Sequence, residues 1–136
     1  MRIKIGAALL CAFSFASPSY AETSEEEILR MFIPADISLI RDNGKYAFQS
    51  AAAAPFYTYD RDEPNKSNCV EKCIETWWPV RVRAETTPKE PWTLIERDDG
   101  RAQWAYKGQP IYYYVDDQVG KKLGDGIDGE WHVLEP

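Results

Sequence analysis

A block of sequence occurs twice in this chain, and that repetition constrains the fold more than any other feature. Ile37-Ser38-Leu39-Ile40-Arg41 leads through Asp42-Asn43-Gly44 into Lys45-Tyr46-Ala47-Phe48. Farther along, Trp92-Thr93-Leu94-Ile95-Glu96-Arg97 leads through Asp98-Asp99-Gly100 into Arg101-Ala102-Gln103-Trp104. An Asn-Gly step between two such runs predicts a β-hairpin, because both turn residues tolerate positive φ. Behind each hairpin comes a tyrosine-rich run. Pro55-Phe56-Tyr57-Thr58-Tyr59-Asp60-Arg61-Asp62 matches Pro110-Ile111-Tyr112-Tyr113-Tyr114-Val115-Asp116-Asp117, and then Trp78-Pro79-Val80 matches Trp131-His132-Val133. The offsets are 56, 55 and 53 residues (Gly44 to Gly100, Tyr57 to Tyr112, Trp78 to Trp131), so each length change falls in a loop, where it is tolerated. Two such units are expected to pack face to face around a pseudo-twofold axis, each burying the other's open side.

The rest of the chain arranges itself around this duplication. Residues 1–21 have the form of a cleaved export signal: Arg2 and Lys4, an apolar run from Ile5 to Ala16, and small residues at Ser19 and Ala21. That run is too short to span a membrane, which takes about 20 residues. Bulky Leu10 before Cys11 argues against lipidation. Residues 22–36 predict a short amphipathic helix, with Ser24 and Glu27 as a capping box, an apolar stripe of Ile28, Leu29, Met31 and Phe32 over the core, and Pro34 as the stop. Residues 37–80 form the first repeat, 81–91 a polar linker and 92–136 the second repeat. The expected class is α+β and mostly β, with 37–136 as one domain. The expected address is periplasmic or secreted.

Composition removes several functions. With 16 Lys+Arg against 22 Asp+Glu and a net charge of −6, the chain lacks the basic patch that a nucleic-acid binder needs. One His excludes a multi-His metal site, and Met31 with His132 is too sparse a soft-ligand set for copper. Cleavage leaves Cys69 and Cys73. In an exported chain a disulfide is the simplest use of two cysteines, here pinning one helical turn. The alternatives are a redox pair, whose motif has two intervening residues instead of three, and a zinc site, which needs two further ligands.

Alternate side chains of a strand share a face. Tyr57 and Tyr59 therefore point together, as do Tyr112 and Tyr114. The opposite side, with Ile111 and Val115, reads as core, which leaves the motif tyrosines between the repeats or lining a groove. Asp62 and Asp117, at the strand ends, are placed to accept a tyrosine hydroxyl, a clasp that holds strand to loop. The functional alternative is an aromatic platform for a flat ligand, with Trp104 and Trp131 as further candidates. Asp62 and Asp117 could instead be paired carboxylates acting on a glycan, but no third group completes a catalytic set. Asp125, Asp128 and Glu130 are weak candidates for calcium ligands, since their spacing lacks the calcium-loop pattern. No cofactor is indicated. His132, after Trp131, reads as a buried strand residue.

Tyr57, Tyr59 and Asp62, and again Tyr112, Tyr114 and Asp117, resemble the Tyr-x-aromatic-x-x-Asp motif of a bacterial family of secreted repeats of unknown function, also described as lipoproteins. Ser67-Asn68-Cys69, the Cys73 to Trp78-Pro79 segment, Arg97-Asp98-Asp99-Gly100, Gln103-Trp104-Ala105-Tyr106-Lys107-Gly108 and Gly124-Asp125-Gly126 up to Trp131 are similar as well. The resemblance implies the repeat architecture and export. It implies no chemistry, and the expected role is a non-catalytic module for an envelope protein or a small ligand.

Overall fold

The computed structural model describes residues 24–83 and 86–136. The export signal at 1–21, the first two residues of the helical segment and two linker residues lie outside them. The helix α1 (Glu25–Met31) starts where the capping box placed it: Ser24 Oγ accepts the Glu27 N–H at 3.2 Å, and three glutamates occupy the first turn, favourable at the positive end of the helix dipole. Its apolar stripe is only partly used. Leu29 and the following Ile33 pack on the core, but Ile28, Met31 and Phe32 are exposed.

Each repeat opens with a hairpin. In the first, β1 (Ile37–Asp42) pairs with β2 (Lys45–Ser50) through a two-residue turn with Asn43 at φ 49° and Gly44 at φ 82°. In the second, β5 (Trp92–Glu96) pairs with β6 (Ala102–Tyr106), which turns again into the short β7 (Gln109–Pro110). The two hairpins differ in register by one residue: Leu39 faces Phe48, whereas Ile95 faces Gln103 and not Trp104. The second turn is longer. Only Gly100 takes positive φ there, and Asp99 accepts the Arg101 N–H through its side chain.

The remaining strands interleave the repeats. β3 (Tyr57–Tyr59), β4 (Trp77–Pro79), β8 (Tyr112–Tyr114) and β9 (Trp131–Val133) form one sheet in the order β4-β8-β3-β9. The two tyrosine strands lie antiparallel at its centre with Tyr57 opposite Tyr112. Each is flanked by the tryptophan strand of the other repeat. The pseudo-twofold axis thus passes between equivalent tyrosines. The sheet also corrects the third offset. Trp131 faces Tyr59 and Trp77 faces Tyr114, so Trp131 is the counterpart of Trp77 and His132 that of Trp78.

Both faces of this sheet are core. On one, Phe56 and Ile111 pack with Phe48, Trp92, Trp104 and Leu134 from the hairpins and the C-terminal end. On the other, Tyr57, Tyr112, Trp77, Trp131 and Cys69 make a second core. The expectation of a single core face is therefore corrected, and Val115, assigned to it, lies past the strand's end and is 39% exposed. His132 is exposed as well, its Nε2 2.9 Å from Asp60 Oδ2.

Candidate functional site

The second core is built on the axis. Trp77 and Trp131 stack with centroids 3.7 Å apart and planes 3° from parallel. Tyr59 stacks on Trp131 at 4.2 Å and Tyr114 lies tilted against Trp77 at 4.7 Å, giving a four-ring pile in which each Tyr–Trp pair joins the two repeats. Tyr57 and Tyr112 meet the tryptophans edge-on. The edge-on contacts are a favoured aromatic geometry, while the Trp77–Trp131 stack is closer than the usual centroid spacing of about 4.5–7 Å. The pile is closed by two loops. One carries Cys69, bridged to Cys73 with Cα atoms 5.2 Å apart at the start of α2 (Cys73–Thr76). The other carries Gly124, where a Cβ would meet the Trp77 ring at 2.8 Å.

The tyrosine hydroxyls cross between repeats. Tyr57 Oη donates to Asp117 Oδ2 at 2.7 Å, and Tyr112 Oη donates to Asp62 Oδ2 at 2.7 Å. Each aspartate's other oxygen accepts a backbone N–H from the loop six residues on, Leu123 at 2.8 Å and Asn68 at 2.7 Å. The clasp therefore joins the strand of one repeat to the loop of the other. Hydrogen bonds to an ionised acceptor at this distance are the strong kind. Burial, and next the bonded carboxylate, hold the Tyr57 hydroxyl far above the ordinary phenol range. Tyr112 is raised too, by burial first and then by Asp62. Burial also raises the Asp62 carboxyl against the opposing effects of Tyr112, Asn68 and Arg97.

The structure thus brings together Tyr57, Tyr59, Asp62, Tyr112, Tyr114, Asp117 and Trp131. Trp104 sits in the other core, fully buried. Tyr57, Tyr112 and Trp131 are buried as well, so their rings face protein. Tyr59 and Tyr114 are half-buried flanks of the pile. Asp62 and Asp117 are each committed to a tyrosine and a backbone amide. In the glycine-rich loop Asp125 accepts the Val133 N–H and Glu130 pairs with Arg61. Among the described residues no cluster of three or more His, Cys, Asp or Glu is placed to hold a metal ion.

The exposed aromatic surface lies at an edge that the motif did not mark. Trp78 stands on the edge strand β4 at 52% exposure, opposite half-buried Tyr113 on β8. The equivalent pair in the other half is His132 opposite Thr58. Trp78 lines two hollows of about 390 and 450 Å³, and Arg81, Arg83 and Tyr113 line both as well. The signal for this site was the Trp77-Trp78 doublet. Neighbouring residues of a strand point to opposite faces, so only one of the two could join the pile.

A duplicated, disulfide-containing β-fold with a seam of tyrosines and tryptophans defines a class of small repeat protein. Residues 41–81 and 93–135 match the family described as secreted repeat of unknown function, and the chain belongs to that family. It is accordingly a secreted protein. No curated protein and no solved structure matches it. No helix among the described residues is long and apolar enough to cross a membrane.

Proposed function

We propose that this protein is a non-catalytic binding module of the bacterial cell envelope, exported to the periplasm, whose ligand lies in the cleft around Trp78. One observation supports this reading above the rest: an exposed tryptophan opposite a half-buried tyrosine in one half, where the other half carries His132 and Thr58. Tyr113 packs against Phe56 and the core, but Trp78 is exposed, and the second copy holds His132 in its place. Exposed large rings beside a concave surface are a common feature of binding sites. The clasps fix this edge, because β4 is held on β8, whose Tyr112 is anchored to Asp62.

Native mass spectrometry of protein taken from the osmotic-shock fraction of producing cells tests the reading. The wild type should carry a low-mass adduct, and Trp78→Ala, folded to the same melting midpoint, should lose it. Protein retained in the cytoplasm, or an adduct equally present in both proteins, would count against it.

A further inference from the structure

We infer that the cleft takes a saccharide chain bearing a carboxylate; this inference rests on the Trp78 cleft being the binding site. Three features, two of them sharing Arg81, converge on that chemistry. The Trp78 ring, with Tyr113 directly across the strand pair, offers a flat apolar face of the kind on which the C–H face of a sugar ring stacks. The smaller hollow is lined by two residues whose buried N–H donors have no acceptor among the described residues. Trp104 is fully buried, yet its Nε1 has no partner among the described residues. Arg81 lines the same hollow; its Nη2 pairs with Asp99 at 3.1 Å, while its Nη1 is also buried and unpartnered. Both atoms are covered by protein, and a sugar hydroxyl or carboxylate oxygen meets them only once the wall of the hollow shifts.

Charge supplies the third feature. On a chain of net charge −6, the larger hollow is lined by Arg81 and Arg83 and, among the described residues, by no carboxylate. In the smaller hollow Asp36 accepts from Thr86 at 3.2 Å and Asp117 belongs to its clasp. Exposed Arg83, beside an Arg81 already paired with Asp99, gives the hollow a cation that suits an anionic oxygen group. Two hollows that share Trp78 in their linings suit an extended chain with a sugar ring on Trp78 and its carboxylate toward Arg83. A peptide added as a further strand fits less well, since Pro79 on this edge strand has no N–H to give.

Tryptophan fluorescence titration of the full exported chain tests the inference with four probes: a tetragalacturonate, a disaccharide containing muramic acid, the methyl-esterified tetragalacturonate and a proline-rich decapeptide. At least one carboxylated saccharide should bind saturably, and about tenfold more tightly than the uncharged ester, a difference near 1.4 kcal/mol. Trp78→Ala should weaken that binding about tenfold or more, and Arg83→Gln should weaken the acidic probe while leaving the ester unchanged. If the ester or the peptide binds as tightly, and still through Trp78, the ligand class is overturned while the cleft stands. If a carboxylated probe binds with no response to Trp78→Ala, the cleft itself is overturned. If neither carboxylated probe binds, the ligand class falls, and the adduct experiment above decides the cleft. Should Trp78→Ala fail to fold, Arg83→Gln, an exposed position, carries the test.

Discussion

Around Asp117 the clasp ends in backbone: the Leu123 N–H meets the carboxylate, and the Gly124 N–H reaches the Tyr57 hydroxyl at 3.3 Å. Around Asp62 it continues into side chains. The Tyr112 hydroxyl meets Ser67 Oγ at 2.7 Å, and buried Arg97 donates to Ser67 Oγ, to Gln103 Oε1 and to the Cys69 carbonyl, each at 2.6 Å. The counterpart of Arg97 is Arg41, which lies exposed over the Tyr46 ring. The register difference between the hairpins accounts for part of this. Gln103 faces Ile95 and so shares a face with Arg97, whereas its counterpart Ala47 faces Ile40, one residue from Arg41. In the other half the cation sits on the loop instead: Lys122 Nζ reaches Asp42 at 2.7 Å. The duplication kept the seam and let its supports diverge.

The sharpest contrast between halves is within the Trp77-Trp78 doublet. Trp77→Ala should destabilise by about 3–5 kcal/mol, the range for an aromatic core truncation. Trp78→Ala should stay within about 0.5 kcal/mol, as for a surface side chain. Urea midpoints check both, and comparable losses would break the assignment of Trp77 rather than Trp78 as the partner of Trp131. Arg97 and Arg41 come next. Arg97→Ala strips three acceptors, two of them buried, of their donor and should cost about 3 kcal/mol, while Arg41→Ala should cost less than about 0.5 kcal/mol. Equal costs would mean that the side-chain network around Asp62 adds nothing to the clasp.

What the sequence made legible was local. The capping box, the Asn43-Gly44 turn, the tyrosine strands and the Cys69–Cys73 spacing each depend on a few neighbouring residues, and each stands where it was expected. The duplication carried the reading farther, to two units sharing one interior. It stopped at exchange between them: a motif containing both Tyr57 and Asp62 invites a clasp within one copy, and only the interleaved strand order hands each hydroxyl to the other copy's aspartate. The offset at the tryptophan strand failed for a related reason. With Trp77 and Trp78 adjacent, either aligns with Trp131, and pairing across strands alone decides.

Tyr57→Phe and Tyr112→Phe should each cost about 1 kcal/mol, by removing one hydrogen bond from a half-buried carboxylate that keeps its backbone N–H. The Tyr57 change should be the larger of the two, since Asp62 keeps the Arg97 charge nearby. The same hydroxyls set a pH limit. Their folded values lie above the unfolded value of 10.0, so the native state holds protons that the unfolded chain releases. Their contribution is full below pH 10 and is lost as pH rises beyond it. Urea midpoints should therefore fall between pH 10 and 11 in the wild type and fall less in Tyr57→Phe. Asp62 is also raised, from 3.8. Its contribution is likewise greatest below that value and declines as pH rises through the folded one.

Reduction of the disulfide probes the two loops most gently. The bridge closes only the Cys69–Cys73 segment, and chain entropy assigns such a loop about 2 kcal/mol. The loss should be confined to one side of the axis. The Asn68 N–H, bonded to Asp62 one residue before the bridge, should exchange faster in reductant. The Leu123 N–H, bonded to Asp117 in a loop that Gly124 seats against Trp77, should keep its protection. If both amides lose protection together, the clasps open as one unit and the independence of the two loops fails. If neither does, Arg97 alone holds the Cys69 segment through its bond to the Cys69 carbonyl, and Arg97→Ala should then make the Asn68 N–H sensitive to reductant.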